Sequence, residues 1–338
     1  MASHKKSSLA KRLKALLPIA LAILLSFLLI PGLNTTSKPT KLTVHRGTGF
    51  TAIVDEMVRN GTIRSSWPAL LTGRVIPRIH NIKPGRYTIA GGMSNLQLLL
   101  FLHFHPQDEV RVTLPEGLDL QKVARILSRK LDIDSTAFMA AAQDSLMLRK
   151  YHIKARNAEG YLFPGTYDFA WASTPSEAAS FLVGRFRRFY SDSLKTVAAR
   201  RGLNEIQLLT LASIVEAETP VDAEKPVVAS VYLNRLTKNM RLQADPTVQY
   251  ALGGTARHLY YNDLGVDSPY NTYRHNGLPP GPICNPGAAS ILAVLKPATT
   301  GFIYFVATGT GGHNFAESLA AHGENIKKYR QARRQAAQ

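Results

Sequence analysis

The sequence predicts an α+β protein built from one N-terminal transmembrane helix, a small module of β-helix-helix-β order and a larger mixed α+β domain. Three observations predict it. An uncharged apolar run at 15–33 follows a basic flank. From residue 41 onward, strand-like alternation and 3.6-residue periodicity succeed one another over short intervals. Past residue 200, apolar helical stretches give way to loops rich in Gly, Pro, Asn and Tyr.

The chain has 338 residues, enough for two or three packed domains, and its 45% hydrophobic content is ordinary for a globular protein. Its formal net charge is +18, yet Lys and Arg are spread along the chain rather than gathered into a helical stripe or an aromatic-interleaved patch. No nucleic-acid partner is therefore expected, and an anionic polymer or membrane surface stays open. Cys284 is the only cysteine, so an intramolecular disulfide is excluded and stability must come from packed cores.

Lys5, Lys6, Lys11, Arg12 and Lys14 precede ALLPIALAILLSFLLIPGL. That run is close to the ~20 residues a bilayer-spanning helix needs. It is long for a signal-peptide core, and the PGLNTTSK that ends it offers no A-x-A-like cleavage site. Pro18 falls near the start of the span, where its missing N–H costs little. The positive-inside rule keeps 1–14 cytoplasmic, makes 15–33 the span and sends the rest across the plasma (inner) membrane, to the periplasm or cell exterior. The polar, proline-containing segment 34–40 is a linker.

A module at 41–110 follows. KLTVHRGTG alternates like a strand, FTAIVDEMVRNG has the period of an amphipathic helix ending at Gly61, IKPGRYTI is a second strand and NLQLLLFLHF a further helix. This order suits a small carbohydrate-binding module. A connecting α+β region at 111–200 opens with VRVTLPEGLDLQKVARILSRKL, again strand, turn and helix. It contains EGYLFPGTYDF, which reads equally as a cleft-lining loop or as a packed hairpin with buried tyrosines. From 174 to 203 the chain is helical, and RFRRFY reads as a solvated basic face.

The domain at 201–335 carries the acid residues of interest. In LNEIQLLTLASIVEAET, taken as a helix, Leu208, Leu211, Val215 and Glu218 fall on one stripe. Glu216 is rotated by roughly 200° from it and belongs on the opposite side, with the easier route to water or a supporting role. A carboxyl group at the edge of an apolar face is desolvated, which raises its pKa and suits a general acid. Glu218 fits that description, and it also fits plain helix-end polarity before Pro220. Downstream, Gln243 and Asp245 precede Pro246, and SPYNTYRHNGLPPGPICNPGAAS supplies Asn271, Tyr273 and Asn285 among turn formers. FVATGTGGHNF is a strand entering a glycine turn; its His313 fits either a group in a cleft or an ordinary turn residue.

Other chemistries find no footing. There is no HExxH, CxxC or G-x-S-x-G; His103 and His105 lack a third ligand, and the S-x-x-K of Ser8 to Lys11 lies in the cytoplasmic tail with no KTG to accompany it. No metal or cofactor is expected.

ASIVEAET, NRL, MRLQADPTVQY, SPYNTY, GLPPGPICNPG and FVATGTGGHNF, in that order, together with VRVTLPEG, EGYLFPGTYDF and IKPGRYTI, resemble the MltG (YceG-like) endolytic murein transglycosylases. The resemblance runs from residue 41 to about 330. It implies a membrane-anchored, outward-facing enzyme with a LysM-like module and a catalytic domain that cuts peptidoglycan glycan strands internally at the MurNAc–GlcNAc bond. The products would be 1,6-anhydro-MurNAc ends. It places the catalytic acid at Glu218, with Glu216, Gln243, Asp245, Asn271, Tyr273, Asn285 and His313 as supporting or sugar-holding candidates. The partners it implies are glycan strands, the membrane and peptidoglycan synthases. Cys284 stands where a small residue is usual, and Ala217 replaces a frequent lysine. A lysozyme-like hydrolase using Asp245 to activate water, or a wall-binding scaffold without catalysis, would share much of this pattern.

Overall fold

The computed structural model describes residues 16, 18, 19, 22, 23, 25–254 and 258–336. The basic flank 1–14 lies outside the described residues, as does part of the expected span at 15–33. Within that run residues 25–29 are helical, and among the described residues no helix is long and apolar enough to cross a membrane. The chain forms two compact units. One holds residues up to Arg111 together with 130–132 and 168–173, and the other holds the remainder. Both units mix helices with small sheets, as the α+β expectation requires.

In the first unit, β1 (Thr40–Val44) pairs antiparallel with β2 (Gly85–Ile89), with Thr40 opposite Ile89 and Val44 opposite Gly85. Between them lie α1 (Phe50–Arg59) and α2 (Trp67–Val75), so the β-helix-helix-β order is present. Alternation in β2 sends Tyr87 and Ile89 inward and Arg86 and Thr88 outward. The apolar stripe of α1, Ile53, Val54 and Met57, meets Leu42, Val44 and Tyr87 in one core. The helix stops where Gly61 takes a left-handed φ of 75°. Leu98, Leu99 and Leu102 of α3 (Asn95–Phe104) complete the core, and that helix is started by a reciprocal capping box between Ser94 and Gln97.

β3 (Glu109–Leu114) pairs with β4 (Gly165–Ala170), and α4 (Leu120–Lys130), α5 (Ser135–Ala141) and α6 (Ser145–Lys150) lie between them in the chain. The EGYLFPGTYDF segment is packed rather than open. Glu159, Tyr161 and Leu162 are buried, and the Tyr161 ring meets Phe186 edge-on at 5.4 Å. The basic stretch RFRRFY on α7 (Pro175–Phe189) departs from the solvated face expected of it. Phe186 is in the core, and Arg187 pairs with Glu205 at 2.5 Å and lies over the rings of Tyr161 and Phe186. A guanidinium covers aromatic surface with its stem and plane while its head finds a carboxylate, so a charge run on a helix can still be half inside.

After α8 (Asp192–Arg200), three helices make the centre of the second unit: α9 (Glu205–Glu218), α10 (Lys225–Thr237) and α12 (Ala288–Leu295), each packed on the other two. The short α11 (Asp245–Ala251) also touches α9. An antiparallel hairpin, β5 (Tyr304–Ala307) and β6 (His313–Ala316), and the long α13 (Leu319–Ala336) close the chain.

Candidate active site

Helix α9 begins with a capping box in which Asn204 and Gln207 each accept the other's backbone N–H, at 2.9 and 3.0 Å. It ends at Glu218, where Thr219 turns extended ahead of Pro220. Every residue from Leu208 to Val215 is buried, so this helix is covered on all sides rather than along one stripe.

That coverage corrects the expected position of Glu216. Its side chain is only 7% exposed; Oε2 accepts from the Gly287 N–H at 2.9 Å and from the Ser290 hydroxyl at 2.7 Å, and Oε1 lies 3.2 Å from Lys225 Nζ. Lys225 is itself buried, and it also lies 2.8 Å from Asp222 and 3.7 Å from Glu116. Burial opposes its charge, but the hydrogen bonds and fields of these carboxylates hold its pKa above the usual lysine value. Glu216 is thus a structural anchor between α9, α10 and α12. A Cβ on residue 287 would fall 2.0 Å from the carboxylate of the Glu116 side chain.

Glu218 has other partners. The Tyr232 hydroxyl on α10 donates a hydrogen bond to Oε1 of Glu218. Arg235, one turn further along α10, is fixed by donating from Nε to the Ile303 carbonyl at 2.7 Å and from a terminal nitrogen to the Leu242 carbonyl at 2.6 Å. Desolvation by burial pushes the Glu218 carboxyl up to about 7; the Tyr232 hydrogen bond opposes the rise, the charge of Asp245 adds to it and Arg235 subtracts.

Asp245 opens α11 and accepts a hydrogen bond from the Tyr273 hydroxyl at 2.6 Å. The loop holding Tyr273 is stitched to the start of α11. The Gln243 N–H donates to the Thr272 carbonyl at 3.2 Å, and the Ala244 N–H donates to the Thr272 hydroxyl at 3.0 Å. Gln243 has a left-handed φ of 47°, a conformation that costs a non-glycine residue energy, and its side chain is exposed beside Asp245 in the chain. Burial raises the Tyr273 and Tyr232 hydroxyls above the usual tyrosine range, so both remain donors at neutral pH.

His313 reaches this region through Glu224. Its N–H donates to Glu224 Oε1 at 2.7 Å and its Nδ1 lies 2.8 Å from Oε2, which also accepts from the Thr219 hydroxyl at 3.1 Å. Desolvation works against the charge of Glu224, but the hydrogen bonds from His313 and Thr219 hold its pKa below the usual value. The glycine turn between β5 and β6 is thereby tied to the residue that follows Glu218. Gly312, at φ 97°, sits where a Cβ would be 2.5 Å from Glu224 Oε1.

Asn271 and Asn285 are placed elsewhere than expected. Asn271 is fully buried; its amide donates to the carbonyls of Leu264 and Val266, and its oxygen accepts from the Tyr273 N–H. Asn285 donates to the Leu118 carbonyl and to Glu159, and its oxygen accepts from the Leu162 N–H. Both amides are committed to holding loops, and sequence reasoning could not separate such uses from sugar contacts because both place an amide in a polar loop. Glu159 accepts the Leu120 N–H with both oxygens at 3.0 Å, and burial pushes its pKa up to about 8. The Asn285 and Glu159 contacts join the VTLPEG, EGYLFPG and CNPG segments. Among the described residues no group of His, Cys, Asp or Glu side chains is arranged to hold a metal ion. Sequence reasoning missed Tyr232, Arg235 and Glu224; the signal available was VYLNRL, which puts a tyrosine and an arginine one turn apart on the helix after Glu218.

A family described as YceG-like matches residues 42–328. A Bacillus subtilis (strain 168) protein named endolytic murein transglycosylase is 33% identical over 233 residues, 65% of this chain and 65% of that one. A protein of the same name from Streptococcus pneumoniae serotype 2 (strain D39) is 29% identical over 281 residues, 74% of this chain and 51% of its own length. The chain therefore spans about two thirds of the first relative and about half of the second. The 2.6 Å crystal structure of a protein described as yceG-like from Listeria monocytogenes superposes with a TM-score of 0.59 at 27% identity, covering 86% of this chain and 99% of that one.

Proposed function

This chain belongs to the YceG-like family, and from that premise we propose that it is an endolytic murein transglycosylase, cutting the MurNAc–GlcNAc bond within peptidoglycan strands to leave 1,6-anhydro-MurNAc ends and so ending strand growth. One observation carries the reading: Glu218, held by Tyr232 at the end of a buried helix, has its pKa raised to about 7. The reaction asks one carboxyl group to serve first as acid and then as base, and a pKa near the working pH makes both forms accessible. Protonated Glu218 delivers its proton to the glycosidic oxygen as the bond from the MurNAc anomeric carbon breaks. The resulting carboxylate accepts the proton of that sugar's own 6-hydroxyl as the hydroxyl oxygen bonds to the anomeric carbon. No water is consumed, and the nucleophile gains from being tethered. Tyr232 holds one carboxyl oxygen and leaves the other for the sugar.

Asp245, whose charge acts on Glu218, supports a second reading as a water-activating partner in a hydrolase. Mass spectrometry of digested glycan separates the two, because an anhydro end is lighter than a reducing end by one water. Anhydro ends are expected from the full chain. Reducing ends would establish the hydrolase, and an uncut strand would leave only a wall-binding role.

The basic flank and the apolar run at 15–33 support a single-pass anchor in the plasma membrane, with the remainder facing the periplasm or cell exterior. A reporter fused after residue 338 should be active only outside the cytoplasm, and cytoplasmic activity would overturn this topology. The β-helix-helix-β order of the first unit supports a LysM-like module that holds the glycan strand.

A further inference from the structure

We propose that the cavity of about 640 Å³ lined by Lys154, Arg156, Ile206, Tyr270 and Pro282 is a subsite for a carboxylate-bearing peptide, the short peptide that branches from the muramic acid sugars of a peptidoglycan strand. The inference rests on the reading of Glu218 given above. Three prolines, Pro269, Pro280 and Pro282, and Tyr270 are among the lining residues, and such stiff side chains present a fixed shape to a peptide backbone at little cost in ordering. Lys154 and Arg156 are exposed at the rim, and neither is engaged in an ion pair among the described residues. The one acid in the wall is Glu159, buried beneath the Leu120 N–H and the Asn285 amide. Its pKa is pushed up to about 8, so it is largely neutral at pH 7 and does not offset the two cations.

Glu159 and Asn157 also line a neighbouring cavity of about 290 Å³ that includes Asp119 and Tyr250. Asp119 and Tyr250 in turn line a third, of about 270 Å³, which reaches Ala217 and Pro246. Those two residues adjoin Glu218 and Asp245 in the chain. Three cavities with lining residues in common therefore extend from the cationic pocket to the part of α9 that bears Glu216 and Ala217, all within the second unit. A glycan strand cut at Glu218 carries peptides as side branches, and the pocket receives one of them with its carboxylates at Lys154 and Arg156.

The test compares full-length protein with the Lys154→Glu/Arg156→Glu variant on two substrates, glycan strands with intact peptides and strands stripped of peptide by an amidase. On intact strands KM should rise roughly three- to tenfold with kcat unchanged, and the difference should shrink as salt is added. Stripped strands should be cut equally by both proteins. Equal losses on the two substrates, or no loss on either, would overturn the subsite. Titration of a free tetrapeptide with open carboxylates into the uncleaving Glu218→Gln protein reads binding apart from catalysis. Saturable binding that is weakened by the double substitution supports the pocket, and its absence overturns it. If the unaltered protein makes no anhydro ends yet binds the peptide at these two residues, the reading of Glu218 fails and the pocket stands.

Discussion

The Tyr232 hydroxyl donates to Oε1 of Glu218 across the junction between α9 and α10. This contact makes the two residues a unit, because the hydrogen bond favours the charged carboxylate and opposes the desolvation that favours the acid. A cleavage rate that depends on protonated Glu218 should decline as pH rises through about 7. Removing the donor in Tyr232→Phe should raise the Glu218 pKa and move that alkaline limb to higher pH. Asp245→Asn removes a charge that raises the same pKa and should move the limb the other way. The pH profile of kcat for the three proteins checks this, and limbs that shift in the same direction would refute it.

Glu218→Gln should reduce cleavage by about 10²- to 10⁴-fold while leaving the fold intact, because the amide fills the same space but delivers no proton. Glu216→Gln should act on stability instead. It weakens an acceptor of the Gly287 N–H and the Ser290 hydroxyl and leaves buried Lys225 with less compensation. Thermal melts and initial rates on the same samples separate the two, and a lower melting temperature is expected for Glu216→Gln alone.

Glu159 and Glu218 both have pKa values raised above the ordinary 4.5, to about 8 and about 7. The folded protein therefore binds more protons than the unfolded chain between about 4.5 and 8, and through these two groups stability falls as pH rises across that window. Glu159→Gln keeps an acceptor for the Leu120 N–H without the titration. The difference in melting temperature, variant minus unaltered protein, should move in the variant's favour from pH 5 to pH 9, and a difference independent of pH would refute the assignment.

Asn285→Ala should destabilise the second unit by about 1–3 kcal/mol or more, since it strips partners from the Leu162 N–H and the Leu118 carbonyl. Urea unfolding reads the loss. Glycan affinity per folded molecule should stay close to that of the unaltered protein, whereas Gln243→Ala, at an exposed side chain beside Asp245, should leave stability unchanged and weaken affinity.

The sequence by itself determined a good deal. Alternation at residues 40–44 and 85–89, the stripe through Ile53 and Met57, and the turn at Gly61 were legible because each is a local pattern read against one buried face. The choice of Glu218 over Glu216 as the candidate acid came from the same arithmetic. What periodicity could not show is what covers the other side of a helix. The stripe places Glu216 opposite Glu218, and in isolation opposite means solvent. Here α10 and α12 both pack on α9, so opposite means Lys225, Gly287 and Ser290. The tertiary structure alone decided that Asn271 and Asn285 clamp loops, that Tyr232 rather than a loop residue holds the Glu218 carboxyl, and that Glu224 couples His313 to Thr219. Whether the partner is a loop neighbour, as for Asn271, or a distant segment, as for Asn285 and His313, it is set by packing and by the need to satisfy buried polar atoms, and no pattern along a single element encodes that.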